Sequence, residues 1–451
     1  MKAKYIYKCL VISFAALLLG SCSSPEVDSK FDQNATERLS DRQKELNDLL
    51  LSSAEGWKAV YYTDSTQLGG WTHLFKFLPE GKVDMASDFT RGTETDTKTY
   101  RSQYDIQVGS TVSLVFTTEN RIHLLSNAAD YPTAGLLAKG YLGNFQFYYY
   151  GQKNGDIIFR TNRNGHFLRF VKATPQDWAD LPKNTPIINS ITGDMMSPLF
   201  RLLEINDGTT TKSYNFDYNT SARFGTGYSL DPAVKTSYDL AFSFNPKGAF
   251  SKTPLEIKGQ KLTDFLYNIT DNTFVATGKD GVKATVKFVN SPPIVTDDYK
   301  VLLSGKGNAF KYFGYYPENL ANTSTTSEYF KYLVNKANAK LPANQSIAQI
   351  NIYFNNSFNQ TFIRYFFKGG KASIDHVVTT NENAVNKTII LKDAYWSVTP
   401  AARAFLKDID NEFTDPKGLY VKKENFTITY SNVIYTFTSA SSSFRMTSYL
   451  L

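Results

Sequence analysis

Cys22 is the residue whose surroundings define a specific chemistry. It follows Leu19-Gly20-Ser21 at the end of the apolar run Leu10 to Leu19, and Lys2, Lys4 and Lys8 make the segment before that run basic. A basic start, a short apolar stretch and small residues at the junction are the layout of a cleaved export signal. With the cysteine directly after Leu-Gly-Ser, it is the layout of a bacterial lipoprotein signal. Residues 1–21 would be removed, the Cys22 thiol would carry a diacylglycerol thioether, and its new amino terminus would take an acyl chain such as palmitate. Several chains together give stable attachment, where one gives only marginal binding. The run is too short to span a bilayer, which takes about 20 apolar residues. An ordinary secretory signal would need leucine, two small residues and a cysteine to coincide by chance. Ser23, in place of an aspartate, favours the outer membrane over the inner one, and residues 22–30 read as a flexible polar tether.

Other chemistry is sparse. The four histidines, His73, His123, His166 and His376, are far apart, and no H-E-x-x-H occurs, so no metal site is expected. G-x-S-x-G, P-loop and G-x-G-x-x-G patterns are missing, and no cofactor is expected. Asp408-Ile409-Asp410-Asn411-Glu412 starts like a calcium loop, but Phe413 stands where glycine is needed and Leu419 where the bidentate glutamate belongs, so it reads as a charged helix face. Asp297-Asp298 after Pro292-Pro293 reads as a polar turn. Two distant carboxylates could still converge for glycoside hydrolysis, as in any chain with 42 acids. Trp71, Trp178 and Trp396 are candidate ligand-stacking residues, with core packing the competing role. No catalytic residue is assigned, and an enzyme is not the favoured reading.

The elements around these residues are mostly strands. Residues 31–57 are expected to form a helix capped by Asn34 and Glu37, with Leu39, Leu46, Leu49, Leu50, Ala54 and Trp57 on one face and Gly56 at its end. That helix should pack on, or plug, a β-structure beginning at Trp57. Strands are expected at 58–62, 71–78, 82–87, 100–108, 111–117, 145–150, 156–161 and 166–172, with Gly, Asn and Asp turns between them. This is the pattern of an antiparallel barrel or sandwich. Residues 31–174 are therefore one helix-plus-β domain, 175–186 a proline-containing linker, and 187–451 one or more β-rich domains. Helices interrupt this last part near 327–340 and 400–413, and strands close it at 426–430, 433–438 and 444–449. Two fragments recur. Phe75-Lys76-Phe77-Leu78-Pro79-Glu80-Gly81 matches Phe242 to Gly248, with a looser echo at Tyr365 to Lys371, and Thr161 to Gly165 matches Thr277 to Gly281. Each reads as a strand-turn-strand unit. Duplication and chance similarity between hairpins both account for them.

Removing the leader's three lysines leaves 46 basic against 42 acidic residues, a net charge of about +4. That gives no reason to expect nucleic acid, which is recognised by a clustered basic stripe. After cleavage Cys22 is the one remaining cysteine, which leaves no disulfide and no thiol nucleophile.

The segments Phe31 to Arg38, Ala54-Glu55-Gly56-Trp57, Tyr61-Tyr62, Gly69-Gly70-Trp71, Phe75-Lys76-Phe77, Leu114 to His123 and Gly143 to Phe147 resemble an uncharacterised family of Bacteroidota lipoproteins. Asn144 stands where that family often has aspartate, and Glu119 stands near its tyrosine. The resemblance implies an envelope lipoprotein associated with TonB-dependent nutrient import and a first domain shaped like a lipocalin barrel. It implies no catalytic residues. The expected function is a lipid-anchored, non-enzymatic accessory or binding component at the outer membrane, whose partners are the membrane, an importer and a glycan or peptide. The alternatives are a surface glycoside or peptide hydrolase with a carboxylate pair, and a structural or adhesive envelope protein.

Overall fold

The computed structural model describes residues 34–91, 94–231 and 233–451. Residues 1–33, with Cys22 and the whole of the expected tether, lie outside them. The first helix runs Ala35–Leu51. Asn34 Oδ1 accepts from the Glu37 amide at 2.9 Å, and the Glu37 carboxylate accepts from the Asn34 amide at 3.1 Å. This reciprocal pair satisfies donors that the first turn leaves open. The helix stops earlier than residue 57, at a turn where Ser52 Oγ bonds to the Leu49 carbonyl. Gly56 does not cap it. Its φ is +73°, and a Cβ there would sit 2.0 Å from the Phe75 carbonyl oxygen, so glycine is needed to turn the chain into the first strand. Leu46 and Leu50 are buried with Trp57 in the core of the following barrel, whose interior they can reach only through an open end. Gln43 and Glu45 fix the helix there through the Ile106 carbonyl and the Tyr149 hydroxyl, each at 2.7 Å.

Three closed eight-stranded antiparallel barrels follow, each with its strands in sequence order around the wall. The N-terminal barrel is closed where Trp57 pairs with Lys172, the middle one by Phe200–Asp207 against Val282–Val289, and the C-terminal one where Phe313 pairs with Leu450. Alternation puts one residue in two inside. An eight-stranded wall leaves an interior just wide enough for side chains, and here aromatic rings fill it. Phe75 stacks on Phe170 at 4.7 Å, and Phe116, Phe147 and Phe159 complete the N-terminal core. The lipocalin-like topology is thus present with a packed interior.

All eight strands of the N-terminal barrel fall where alternation places them. Elsewhere the structure departs from the expectation. Residues 175–186 connect two barrels, but as helical turns: Pro175–Asp180, Leu181–Lys183 and the start of Asn184–Thr192. Thr174 caps the first of these and proline opens it. Residues 187–451 hold two barrels, with helices at Glu328–Asn338, Pro400–Arg403 and Lys407–Phe413. Residues 426–430 form no strand. Phe426 and Ile428 pack against the C-terminal core from a loop between Leu419–Lys423 and Ile434–Ser439. The two repeated fragments also differ. Thr161 to Gly165 and Thr277 to Gly281 both join the seventh and eighth strands of their barrels. The F-x-F-x-P-x-G hairpin joins strands two and three in the first barrel but four and five in the second.

Candidate functional site

The N-terminal and middle barrels meet on a buried ion pair. Arg223 Nη1 donates to Asp88 Oδ1 at 2.9 Å and to the Gly70 carbonyl at 3.0 Å, and Nη2 donates to the Asp88 carbonyl. The Asp88 side chain is fully buried and that of Arg223 is 1% exposed. Asp88 also accepts from the Thr72 amide at 2.9 Å and from Asn184 Nδ2 at 2.8 Å. One carboxylate therefore joins a barrel strand, the connecting helix and the next barrel. The backbones come close enough for the Gly69 amide to bond to the Ala222 carbonyl at 2.8 Å. A Cβ at Gly69 would lie 2.2 Å from the Phe242 oxygen. Nothing in the sequence marks Asp88 or Arg223. A buried pair drawn from residues 135 apart leaves no local pattern.

Beside this junction opens a groove of about 880 Å³. One wall is built by period-two alternation. Trp57, Ala59 and Tyr61 point into the barrel, which leaves Lys58, Val60 and Tyr62 outside, and Phe167 and Arg169 flank them on the closing strand. The floor is the connecting helices, with Asp177, Asp180 and Asn184, and the far wall is Ser243, Asn245, Phe250 and Lys252 of the middle barrel. Phe167 is 66% exposed. Tyr62 spans the groove, donating its hydroxyl to Ser243 Oγ at 2.7 Å, and burial pushes its phenol up, so it stays protonated. Burial raises the Asp177 carboxyl, but hydrogen bonds from Lys58 and Thr174 outweigh it and hold the group below its ordinary 3.8. Asp180 is held low by Lys183 and Gln176. Neither is poised to donate a proton, as a glycosidase acid must be. The groove offers an aromatic face, fixed amides and hydroxyls, and cations at a domain junction, where ligand sites commonly lie.

The three tryptophans are not brought together. Trp71 is 1% exposed, with Phe89 and Tyr141 edge-on at 5.7 and 5.3 Å and the Arg223 guanidinium 5.8 Å from its ring, so it packs the junction and presents no face to a ligand. Trp178 is half-buried against Leu74, Ala86, Ala173 and Leu181 and donates to the Glu55 carbonyl at 2.9 Å. Trp396 lies in the C-terminal barrel, stacked on His376 at 4.1 Å with Arg403 4.4 Å from the same centroid. Two groups so close to one centroid cannot share a face, so both faces are taken.

His376 is 1% exposed and bracketed by carboxylates, with Nδ1 2.9 Å from Asp410 and Nε2 2.7 Å from Asp393. Tyr365 also donates to Asp410 at 2.9 Å, and Trp396 to Asp393 at 3.1 Å. The segment 408–412 is helical, as its pattern implied, but Asp410 turns inward and pins that helix to the barrel. Both ring nitrogens are occupied, and the cluster opens on no cavity among the described pockets. Asp297 pairs with Lys300 and Lys387, and Asp298 accepts from the Lys423 amide at 2.8 Å, which makes that turn a brace. His73 is buried with both nitrogens unbonded. Burial, then Arg223 and Arg121, pushes it down to about 3, so it is neutral.

A chain of three up-and-down barrels, the first two joined through a buried ion pair beside an open groove, defines a β-barrel protein. The chain belongs to the family described as Domain of unknown function (DUF4302), whose pattern matches residues 27–269. The matched span holds the first helix, the N-terminal barrel, the connecting helices and the first six strands of the middle barrel, and so includes the junction and both groove walls. No curated protein matches the chain. Among solved structures, the DNA polymerase sliding clamp from Bacillus subtilis aligns over 92% of this chain and 96% of that one, at 9% identity and a TM-score of 0.14, which carries no argument. No helix among the described residues is long and apolar enough to cross a membrane.

Proposed function

We propose that this is a lipid-anchored, non-enzymatic binding component of an outer-membrane nutrient-acquisition system of the Bacteroidota type, and that the groove between the first two barrels is its ligand site. The observation that carries this reading is the groove itself, a hollow of about 880 Å³ whose walls are held at fixed separation by the Asp88–Arg223 pair. A pre-formed cleft spends little of its binding free energy on ordering. The anchor rests on Leu19-Gly20-Ser21-Cys22, which fits a protein that holds a ligand at a membrane for an importer. Two measurements test it. Radiolabelled palmitate should enter the wild-type chain and not Cys22→Ser, which should leave the membrane fraction. Purified mature protein should bind members of a glycan and peptide panel stoichiometrically and return them unchanged, and Phe167→Ala should weaken that binding. Turnover of a bound ligand, or binding indifferent to Phe167, would replace this reading.

A further inference from the structure

The groove does not end at Phe167. A second hollow of about 630 Å³, lined by Arg42, Tyr150 and Arg160 among others, adjoins it at Gly165, which borders both. Tyr150 and Phe167, 51% and 66% exposed, stand perpendicular at 5.6 Å on the crest between the two hollows. Three exposed cations are spread along this path, each against a ring. Arg42 lies 5.1 Å from Tyr149, Arg160 5.8 Å from Tyr150 and 6.0 Å from Phe167, and Lys252 5.5 Å from Tyr62. None of the three has a carboxylate partner among the described residues, whereas Lys58 and Arg169 in the same groove are paired with Asp177 and Asp156. Arg160 is held in place by the Gly165 carbonyl at 2.9 Å and the Tyr150 hydroxyl at 3.0 Å, with further donors still open.

We propose that the joined hollows bind an acidic polysaccharide, a chain of pyranose rings carrying carboxylate or sulfate groups. This rests on the groove being the ligand site and adds the ligand's class. Guanidinium and ammonium groups without acidic partners recognise carboxylate or sulfate. Exposed rings between them recognise the apolar face of a sugar, and cations interleaved with rings suit an extended chain that carries charge on some residues and none on others. Nucleic acid fits less well. Duplex DNA presents about one charge per 1.7 Å, and three cations spread over two hollows do not match that density.

Calorimetric titration of the full protein at low salt separates the possibilities, with polygalacturonate and chondroitin sulfate as acidic glycans. Dextran, poly-glutamate and single-stranded DNA are the comparisons. The expected result is binding of an acidic glycan that weakens as salt is raised, with no binding of dextran. Arg160→Gln and Lys252→Gln should each lower affinity at least fivefold, Arg160→Lys should restore part of the loss, and Phe167→Ala should lower it at least tenfold. Circular-dichroism melts check that these exposed substitutions leave the fold intact. Dextran binding that depends on Phe167 but not on Arg160 would overturn the acidic class and keep the groove. Poly-glutamate or DNA binding more tightly than the glycans would overturn the polysaccharide. Acidic-glycan binding untouched by all four variants, or no binding of any probe, would overturn the proposal.

Discussion

Arg223→Ala isolates the junction on which the groove's geometry depends. The substitution removes the bonds to Asp88 Oδ1, to the Asp88 carbonyl and to the Gly70 carbonyl, and leaves a fully buried carboxylate with two neutral donors, the Thr72 amide and Asn184 Nδ2. Removing one member of a buried pair costs about 3–5 kcal/mol, or roughly two to four powers of ten in the opening equilibrium. The readout is amide exchange at Gly69, whose N–H bonds across the junction to the Ala222 carbonyl. It should exchange hundreds of times faster or more, while amides of the C-terminal barrel keep their rates. Two companion variants separate causes. Arg223 sits at φ +51°, so Arg223→Gly should be less harmful than alanine by about 1 kcal/mol. The double variant Asp88→Asn, Arg223→Met removes both charges and keeps an acceptor for Thr72, and should recover most of the loss. Less than a tenfold change at the Gly69 amide, or a double variant as damaged as the single one, would refute the argument.

Gly69→Ala would drive a Cβ against the Phe242 carbonyl oxygen and should cost about 1–3 kcal/mol by chemical denaturation; a neutral result would mean the barrels separate freely. His73, pushed down to about 3 from an ordinary 6.5, binds fewer protons folded than unfolded. Its contribution to stability is complete above pH 6.5 and is lost as pH falls toward 3, at up to about 1.4 kcal/mol per pH unit. His73→Leu should flatten that slope in urea titrations between pH 4 and 7, and equal slopes would contradict the assignment. His376→Leu leaves buried Asp410 with the Tyr365 hydroxyl but without its imidazole, and should destabilise the C-terminal barrel by about 2 kcal/mol without altering exchange at Gly69. Among the described residues, few side chains tie the C-terminal barrel to the rest: Ser443 Oγ bonds to the Met195 carbonyl at 2.6 Å, and Arg445 lies 5.6 Å from the Phe200 ring. A chain ending near residue 295 should therefore melt cooperatively with its Gly69 amide still protected, and an unfolded product would show that the third barrel is required.

The N-terminal barrel was legible because its strands alternate cleanly: Trp57, Ala59 and Tyr61 face in, and Lys58, Val60 and Tyr62 face out. The helix cap was legible for the same local reason, since Asn34 and Glu37 stand three residues apart. Residues 175–186 misled because prolines that open helical turns look like those of an extended linker. Phe426 and Ile428 misled because burial from a loop gives the same apolar signal as a strand. The groove could not be read at all. Its outward residues look like any solvated strand face, and what makes them a site is Lys252 and Ser243 arriving from a barrel nearly 200 residues away. Tryptophan type alone was also a poor guide, since Trp71 is a structural ring and the most exposed aromatic of the groove is a phenylalanine.

Because every barrel closes on its own neighbours in the chain, none has to wait for a distant segment to complete its wall. Asp88 is the exception to this self-sufficiency. As the polypeptide emerges N-terminus first, the leading barrel can finish while its carboxylate is still hydrated, and docking must hold off until residue 223 appears. That delay orders assembly: two separately matured modules first, then a single dehydration step that fuses them. A fault in the later module would leave the earlier one folded yet undocked, with an acidic, water-filled seam marking the unfinished molecule.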